Sequence, residues 1–266
     1  MTMKIACIMC TWEERQMVPV TIESSKDFVH RYIVVDKASK DDTVRVIEEC
    51  AEKWELDIDI YIKPDLPLRE ARMFAIEKAD EEWILIQDGD EAFHTDGPNS
   101  IFNLRKLLKF RNVVFQTPMT VLAGDFLHTD RLPPTQPPHA FLYHNNHSFY
   151  LLKDRGDIPH LMGVLIPLSR VYKFNCWGIK SPRRTFLRQY WDEWCRRTNA
   201  FLEYASVEEY VRAKLDVEEL DEHVKKWYNQ FMNGLKPYNE RRYGYYPKVI
   251  REYIKLGKVR GYEKDD

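Results

Sequence analysis

Along the first third of the chain, short apolar runs alternate with amphipathic stretches. Lys4 to Cys10 reads as an apolar strand, broken by Thr11-Trp12-Glu13-Glu14-Arg15, and the stretch from Gln16 to about Phe28 reads as a helix despite Pro19. Arg31 to Val35 is a second strand that ends in Asp36. Ser39-Lys40-Asp41-Asp42 has the form of a capping box with Ser39 as N-cap, and Val44, Ile47, Ala51 and Trp54 continue at helical spacing. Ile58 to Ile62 is a third strand, Pro64 and Pro67 punctuate a loop, and a helix from Leu68 to about Ala79 leads into a fourth strand at Trp83-Ile84-Leu85-Ile86. Strand–helix alternation of this length predicts an α/β fold with a mostly parallel sheet and right-handed crossovers. In such sheets ligands bind beyond the carboxyl ends of the strands. Glu13, Asp36, Asp88 and Asp90 all fall at such ends, so one crevice could collect them.

Further on, Pro98 to Phe110 reads as a helix, Asn112 to Thr117 as a strand and Met119 to Pro138 as a long loop. His139, His144 and His147 stand among Phe141, Tyr143 and Phe149 in a pattern of antiparallel strands. From Ser181 the composition becomes helical, aromatic and charged. Ser181-Pro182 is a helix start, Lys180, Arg183, Arg184 and Arg188 form a basic cluster, and Val217, Leu220, Val224, Trp227 and Phe231 mark an amphipathic helix. With no Gly/Ser linker before it, this part is expected to pack on the rest.

The chain has 266 residues, and 40 Lys+Arg against 42 Asp+Glu leave a net charge of −2, so no global field argues for nucleic acid or an anionic membrane. No apolar run reaches the length of a membrane span and no signal-peptide pattern opens the chain, so the expected location is cytoplasmic. The Tyr- and Lys/Arg-rich tail from Tyr238 to Tyr262 suits a peripheral membrane contact, and an oligomer interface in the C-terminal part stays open. Cys7 and Cys10 form a lone C-x-x-C; on a strand they point to opposite faces, which favours buried thiols over a zinc site.

The chemistry concentrates in Gln87-Asp88-Gly89-Asp90-Glu91. Three carboxylates at the mouth of a buried strand repel one another unless a cation sits between them, and hard oxygen ligands suit Mg²⁺ or Mn²⁺. A solvated acidic turn is the alternative. Arg69 and Arg72 lie three apart on the preceding helix and could add positive charge beside it.

Four ordered motifs resemble those of family-two glycosyltransferases with the GT-A fold: Cys10-Thr11-Trp12-Glu13-Glu14, Val34 to Thr43 with Asp36 and Ser39, Ala71-Arg72-Met73, and Trp83 to Glu91. The resemblance implies a Rossmann-like GT-A catalytic domain over residues 1–180, with a nucleotide-sugar half at 1–97 and an acceptor half at 98–180, followed by a helical extension at 181–266. It implies a nucleoside pocket lined by Thr11 and Glu13, a base contact at Asp36, donor contacts at Arg72 and Asp88, and a divalent ion on Asp88 and Asp90, while helical spacing adds Arg69 as a further donor contact. The expected donor is a UDP-sugar, with a GDP-sugar as second choice, and the acceptor a glycan, a lipid or another hydroxyl compound. An inverting transfer needs an acceptor-side base; Asp157 is the first candidate and Asp154 the second, with His160 as base, metal ligand or diphosphate contact. A catalytically inactive nucleotide-sugar-binding protein and a nucleotidyltransferase on a related fold are the alternatives.

Overall fold

The computed structural model describes residues 3–64, 66–146, 149–150, 160–161, 163–194 and 200–262. Strands β1 (Ile5–Thr11), β2 (Arg31–Asp36), β3 (Ile58–Ile62) and β4 (Trp83–Ile86) form a parallel half-sheet in the order β3-β2-β1-β4. Helices α1 (Val18–Ser25) and α2 (Thr43–Trp54) cover one face of it, and α3 (Leu68–Glu77) covers the other. Because both faces are covered, β1 is buried throughout and apolar up to Cys10 rather than alternating. Ile5, Cys7 and Met9 enter one core and Ala6, Ile8 and Cys10 the other, so the two thiols lie on opposite faces, buried and free.

The remaining strands of this sheet are β5 (Glu91–Phe93), β6 (Val113–Ala123), β7 (Thr135–His144), β8 (Val164–Pro167) and β9 (Lys173–Trp177). β7 runs antiparallel between β4 and β6 and joins the two halves of one mixed sheet. β8 and then β9 pair in parallel along the far edge of β6, and β5 closes that edge antiparallel to β9.

Local signals misled in two places. The Met119–Pro138 stretch is largely strand: β6 continues to Ala123 and β7 begins at Thr135. Pro118 faces Pro137 and Pro138 across a register shift between Thr117 and Met119, where missing N–H donors are tolerated. Ser39 does not cap α2, which starts at Thr43 with Asp42 in the cap position; the Ser39 side chain turns back to Asp36 instead.

The C-terminal part packs in two places. α4 (Pro182–Asp192, capped by Ser181), α5 (Val207–Leu215) and α6 (Asp221–Gly234) share a core of Phe186, Leu187, Trp191, Val211 and Val224, against which Trp12 of the loop after β1 also packs. The single turn α7 (Glu240–Tyr243) and α8 (Lys248–Lys255) follow, and Tyr238, Tyr246, Val249 and Ile250 join Leu122, Phe174 and Cys176. Two tyrosines of the tail are therefore committed to the core. Among the described residues no helix is long and apolar enough to cross a membrane.

Candidate active site

At the carboxyl end of β2, Asp36 is fully buried. Its carboxylate accepts hydrogen bonds from Thr11 Oγ1 (2.7 Å), the Ser39 backbone N–H (2.7 Å) and the Ser39 hydroxyl (2.7 Å). Glu13, left-handed at φ 53°, has its backbone N–H tied to Ser39 Oγ (2.7 Å), so the loops after β1 and β2 are laced together.

The turn after β4 is held from below by α1. Gln87 Nε2 donates to the Thr21 and Glu91 carbonyls (both 3.1 Å), and Thr21 Oγ1 donates to the Gly89 carbonyl (2.9 Å). Gly89 meets a steric demand: a Cβ there would stand 1.9 Å from Glu14 Oε2. The carboxylates of this turn are individually matched. Asp88 pairs with Arg72 of α3; burial pushes its carboxyl up, but the guanidinium more than offsets that and leaves it below the usual range. Glu91 Oε1 meets Lys173 Nζ at 2.7 Å, with both side chains at most 5% exposed. Asp90 accepts from Asn175 Nδ2 (3.1 Å) and pairs with Lys180 Nζ (3.1 Å), which also reaches Glu14 Oε1 at 2.6 Å. Burial pushes Glu14 and Glu91 up to about 7, against the lowering effect of their lysines.

These groups face one cavity of about 1070 Å³ at the carboxyl ends of β1 and β4. Thr11, Trp12, Glu14, Arg72, Asp88, Asp90 and Glu91 of the N-terminal half line it together with Lys173, Asn175, Lys180, Arg184 and Arg188 of β9 and the chain that follows. At the mouth the Arg184 guanidinium lies 3.7 Å over the Trp12 ring, and Trp12 tilts against Trp191 with centroids 4.9 Å apart. Burial pushes Arg184 down to about 10, and its Nη1 has no hydrogen-bond partner among the described residues.

Of the residues expected in the site, Thr11, Arg72, Asp88 and Asp90 line the cavity. Glu13 and Asp36 stand behind the Thr11 wall, and Arg69 pairs with its neighbour Glu70 at 2.8 Å. Asp154 and Asp157 lie outside the described residues. His160 is described only in its backbone, paired with Tyr150 in a short antiparallel ladder. Sequence reasoning passed over Lys173 and Asn175, quoted Glu14 only as a member of the first motif, and saw Lys180 and Arg184 only as part of a basic cluster. One signal was available: Arg184 and Arg188 lie four apart on α4 and share the cavity face, whereas Arg183 turns away to Glu208 and Asp221.

The divalent ion expected on Asp88 and Asp90 meets a different environment. Each carboxylate already faces a cation, and Asn175 presents an N–H donor, not a ligand, to Asp90. Among the described residues no three His, Cys, Asp or Glu side chains are grouped to hold one ion. As placed, these residues do not fit a resident divalent ion.

The family model for glycosyl transferase family 2 matches residues 6–171. The SPbeta prophage-derived glycosyltransferase SunS of Bacillus subtilis (strain 168) is 29% identical over 119 residues, covering 42% of this chain and 26% of SunS, and glycosyltransferase SunS of Bacillus phage SPbeta matches equally. The chain thus spans about a quarter of the length of these curated relatives. Among solved structures, S. aureus TarS 1–349 in complex with UDP is 16% identical over 96% of this chain and 75% of that one, with a TM-score of 0.46. The mannosyltransferase PcManGT from Pyrobaculum calidifontis, in complex with GDP-Man and Mn²⁺, is 14% identical over 71% of this chain and 64% of that one, with a TM-score of 0.47. Likenesses this distant add no argument about the site; the family match covers well over half of the chain together with both carboxylate-bearing strand ends, and the chain belongs to glycosyl transferase family 2.

Proposed function

We propose that this protein transfers a sugar from a nucleoside-diphosphate sugar to an acceptor hydroxyl. One observation carries the reading: the loop after β1, Arg72 of α3 and the Asp88–Glu91 turn, far apart in sequence, converge with Lys180 and Arg184 on one cavity at the strand carboxyl ends. A leaving diphosphate develops negative charge, and preorganised cations in a partly dry site stabilise it most effectively. Trp12 and Thr11 offer a wall for the nucleoside, with Asp36 behind Thr11 fixing the loop and, in this reading, answering the base.

The transfer is taken as inverting: the acceptor oxygen displaces the diphosphate in one in-line step while a carboxylate accepts the hydroxyl proton. Asp157 is assigned that role, with Asp154 next. UDP-sugars are the favoured donors and GDP-sugars come second.

The test is a panel of UDP- and GDP-sugars scored by thermal shift and by release of free nucleoside diphosphate. A matching donor raises the melting temperature because it binds only the folded state. Release should follow once an acceptor is supplied, and Asp157→Asn should cut kcat by roughly 10²–10⁴-fold with donor affinity kept. Binding without release under any acceptor would make the protein a nucleotide-sugar-binding module. A chain that binds no member of the panel is not a sugar-nucleotide transferase.

A further inference from the structure

Lys180 sits where the sequence pattern calls for a metal ion. Its ammonium is the meeting point of two carboxylates from different strand ends, 2.6 Å from Glu14 Oε1 and 3.1 Å from Asp90 Oδ2. The other oxygen of Asp90 is taken by the Asn175 amide at 3.1 Å. This arrangement is fixed by rigid elements. β9 is registered on β5 with Asn175 opposite Glu91, and the Cys176 N–H donates to the Asp90 carbonyl at 2.7 Å. Gly178, at φ 79°, then turns the chain where a Cβ would crowd the Phe231 ring and the Gly124 amide, and Ser181 caps α4 immediately after Lys180.

The charge count of the floor agrees. Four carboxylates line the cavity, Glu14, Asp88, Asp90 and Glu91, two of them raised by burial to about 7, against seven Lys and Arg side chains. A divalent ion bound to Asp90 at about 2.1 Å would stand beside an ammonium that contacts the same carboxylate, so it would have to expel Lys180. An arriving diphosphate needs no such exchange. Lys180 can share its protons with a phosphate oxygen, and Arg184, buried against Trp12 with no hydrogen-bond partner for its Nη1 among the described residues, lines the same cavity.

We infer that Lys180 serves as a tethered cation in place of a divalent metal, so that this site takes the diphosphate of a sugar nucleotide without Mn²⁺ or Mg²⁺. The inference rests on the nucleotide-sugar reading above for its ligand, but not for its ion chemistry.

Two measurements on the full chain test it. In the first, Mn²⁺ alone is titrated into the protein and free ion is followed by electron paramagnetic resonance. The wild type should bind no Mn²⁺ that Asp90→Asn abolishes, whereas Lys180→Ala should gain such a site because Glu14 and Asp90 lose their counter-ion. In the second, UDP and GDP are titrated calorimetrically in excess EDTA and in MnCl₂. The wild-type Kd for the preferred nucleotide should agree between the two within about twofold, and Lys180→Ala should lose roughly tenfold or more in EDTA and regain it with Mn²⁺. Stoichiometric, Asp90-dependent Mn²⁺ binding by the wild type overturns the inference, and so does loss of wild-type nucleotide binding in EDTA. Both wild-type arms stand even if Lys180→Ala fails to fold. Failure of UDP and GDP to bind under either condition overturns instead the nucleotide-sugar reading, and with it the ligand assigned to Lys180.

Discussion

The two ends of the cavity are built differently. At the β1–β2 end, partners are near in sequence: Asp36 is bonded by Ser39, three residues on, and by Thr11, 25 residues away, while the Glu13 and Glu14 amides reach Ser39 and Thr43 across 26 and 29 residues. A single carboxylate there is solvated by hydroxyls and an amide. At the β4–β9 end, partners are distant: Lys173 meets Glu91 across 82 residues, Asn175 meets Asp90 across 85, Lys180 meets Glu14 across 166 and Arg184 meets Trp12 across 172. Charge there is answered by charge. The first end is a local motif that a short segment can form; the second exists only when β9 and α4 are in place.

The contrast predicts that the distant end is the more fragile. The strongest way to break it is Lys173→Met, which leaves Glu91 buried without its partner. Losing one member of a buried ion pair costs about 3–5 kcal/mol, and replacing both members recovers most of it. Urea unfolding of Lys173→Met and of Lys173→Met/Glu91→Gln should show that pattern. A single-variant loss below about 1 kcal/mol would mean that the pair behaves as a surface one.

The same contrast explains what could be read from the chain. The alternating strands and helices up to Ile86, the opposite facing of Cys7 and Cys10, and the convergence of Thr11, Arg72, Asp88 and Asp90 follow from period and motif. Glu14 was hidden beside Glu13 because a left-handed residue at 13 reverses which of the two faces inward. Lys173, Asn175 and Lys180 were hidden because their roles depend on the register of β9 against β5 and β6, and Pro118, Pro137 and Pro138 made the β6–β7 ladder look like a loop. No local propensity encodes a register between strands that distant.

At the local end the decisive change is Asp36→Ala, which takes a charged acceptor away from Thr11 and Ser39 together. Leaving those donors unpaired should cost on the order of 1–3 kcal/mol in stability or in donor binding, read as a raised donor KM. An unchanged KM with a lowered kcat would move Asp36 from the nucleoside wall into the chemistry and erase the division between the two ends.

pH separates the ends more gently. Glu14 and Glu91 are raised by burial from 4.5 to about 7, so the folded state holds protons that the unfolded chain has released. That stabilising contribution is full below about 4.5 and is lost as pH rises to about 7, with a limiting slope of about 1.4 kcal/mol per pH unit for each proton. Asp88 is shifted the other way and its contribution fades only below the ordinary carboxylate range, outside this window. Buried His94, lowered to about 4, contributes the opposite slope in both proteins, so the test is the difference: from pH 5 to 7 the unfolding free energy of the wild type should fall relative to that of Glu14→Gln. Equal slopes would place the titration elsewhere.

The smallest effect belongs to Arg69, which shares α3 with Arg72 but not its surroundings. Arg72 is 4% exposed and reaches Asp88 of the distant end, while Arg69 pairs at 2.8 Å with adjacent Glu70, both partly exposed. Exposed pairs contribute about 0–1 kcal/mol, so Arg69→Ala should change unfolding free energy by no more than about 0.5 kcal/mol and leave the donor KM unaltered. Arg72→Ala, measured alongside, uncovers Asp88 beside Glu91 and should weaken both stability and donor binding. If Arg69→Ala raised the donor KM as much as Arg72→Ala, the start of α3 would have to swing into the cavity when donor binds. The distinction between a neighbour pair and a cross-fold pair would then fail at the one helix that carries both.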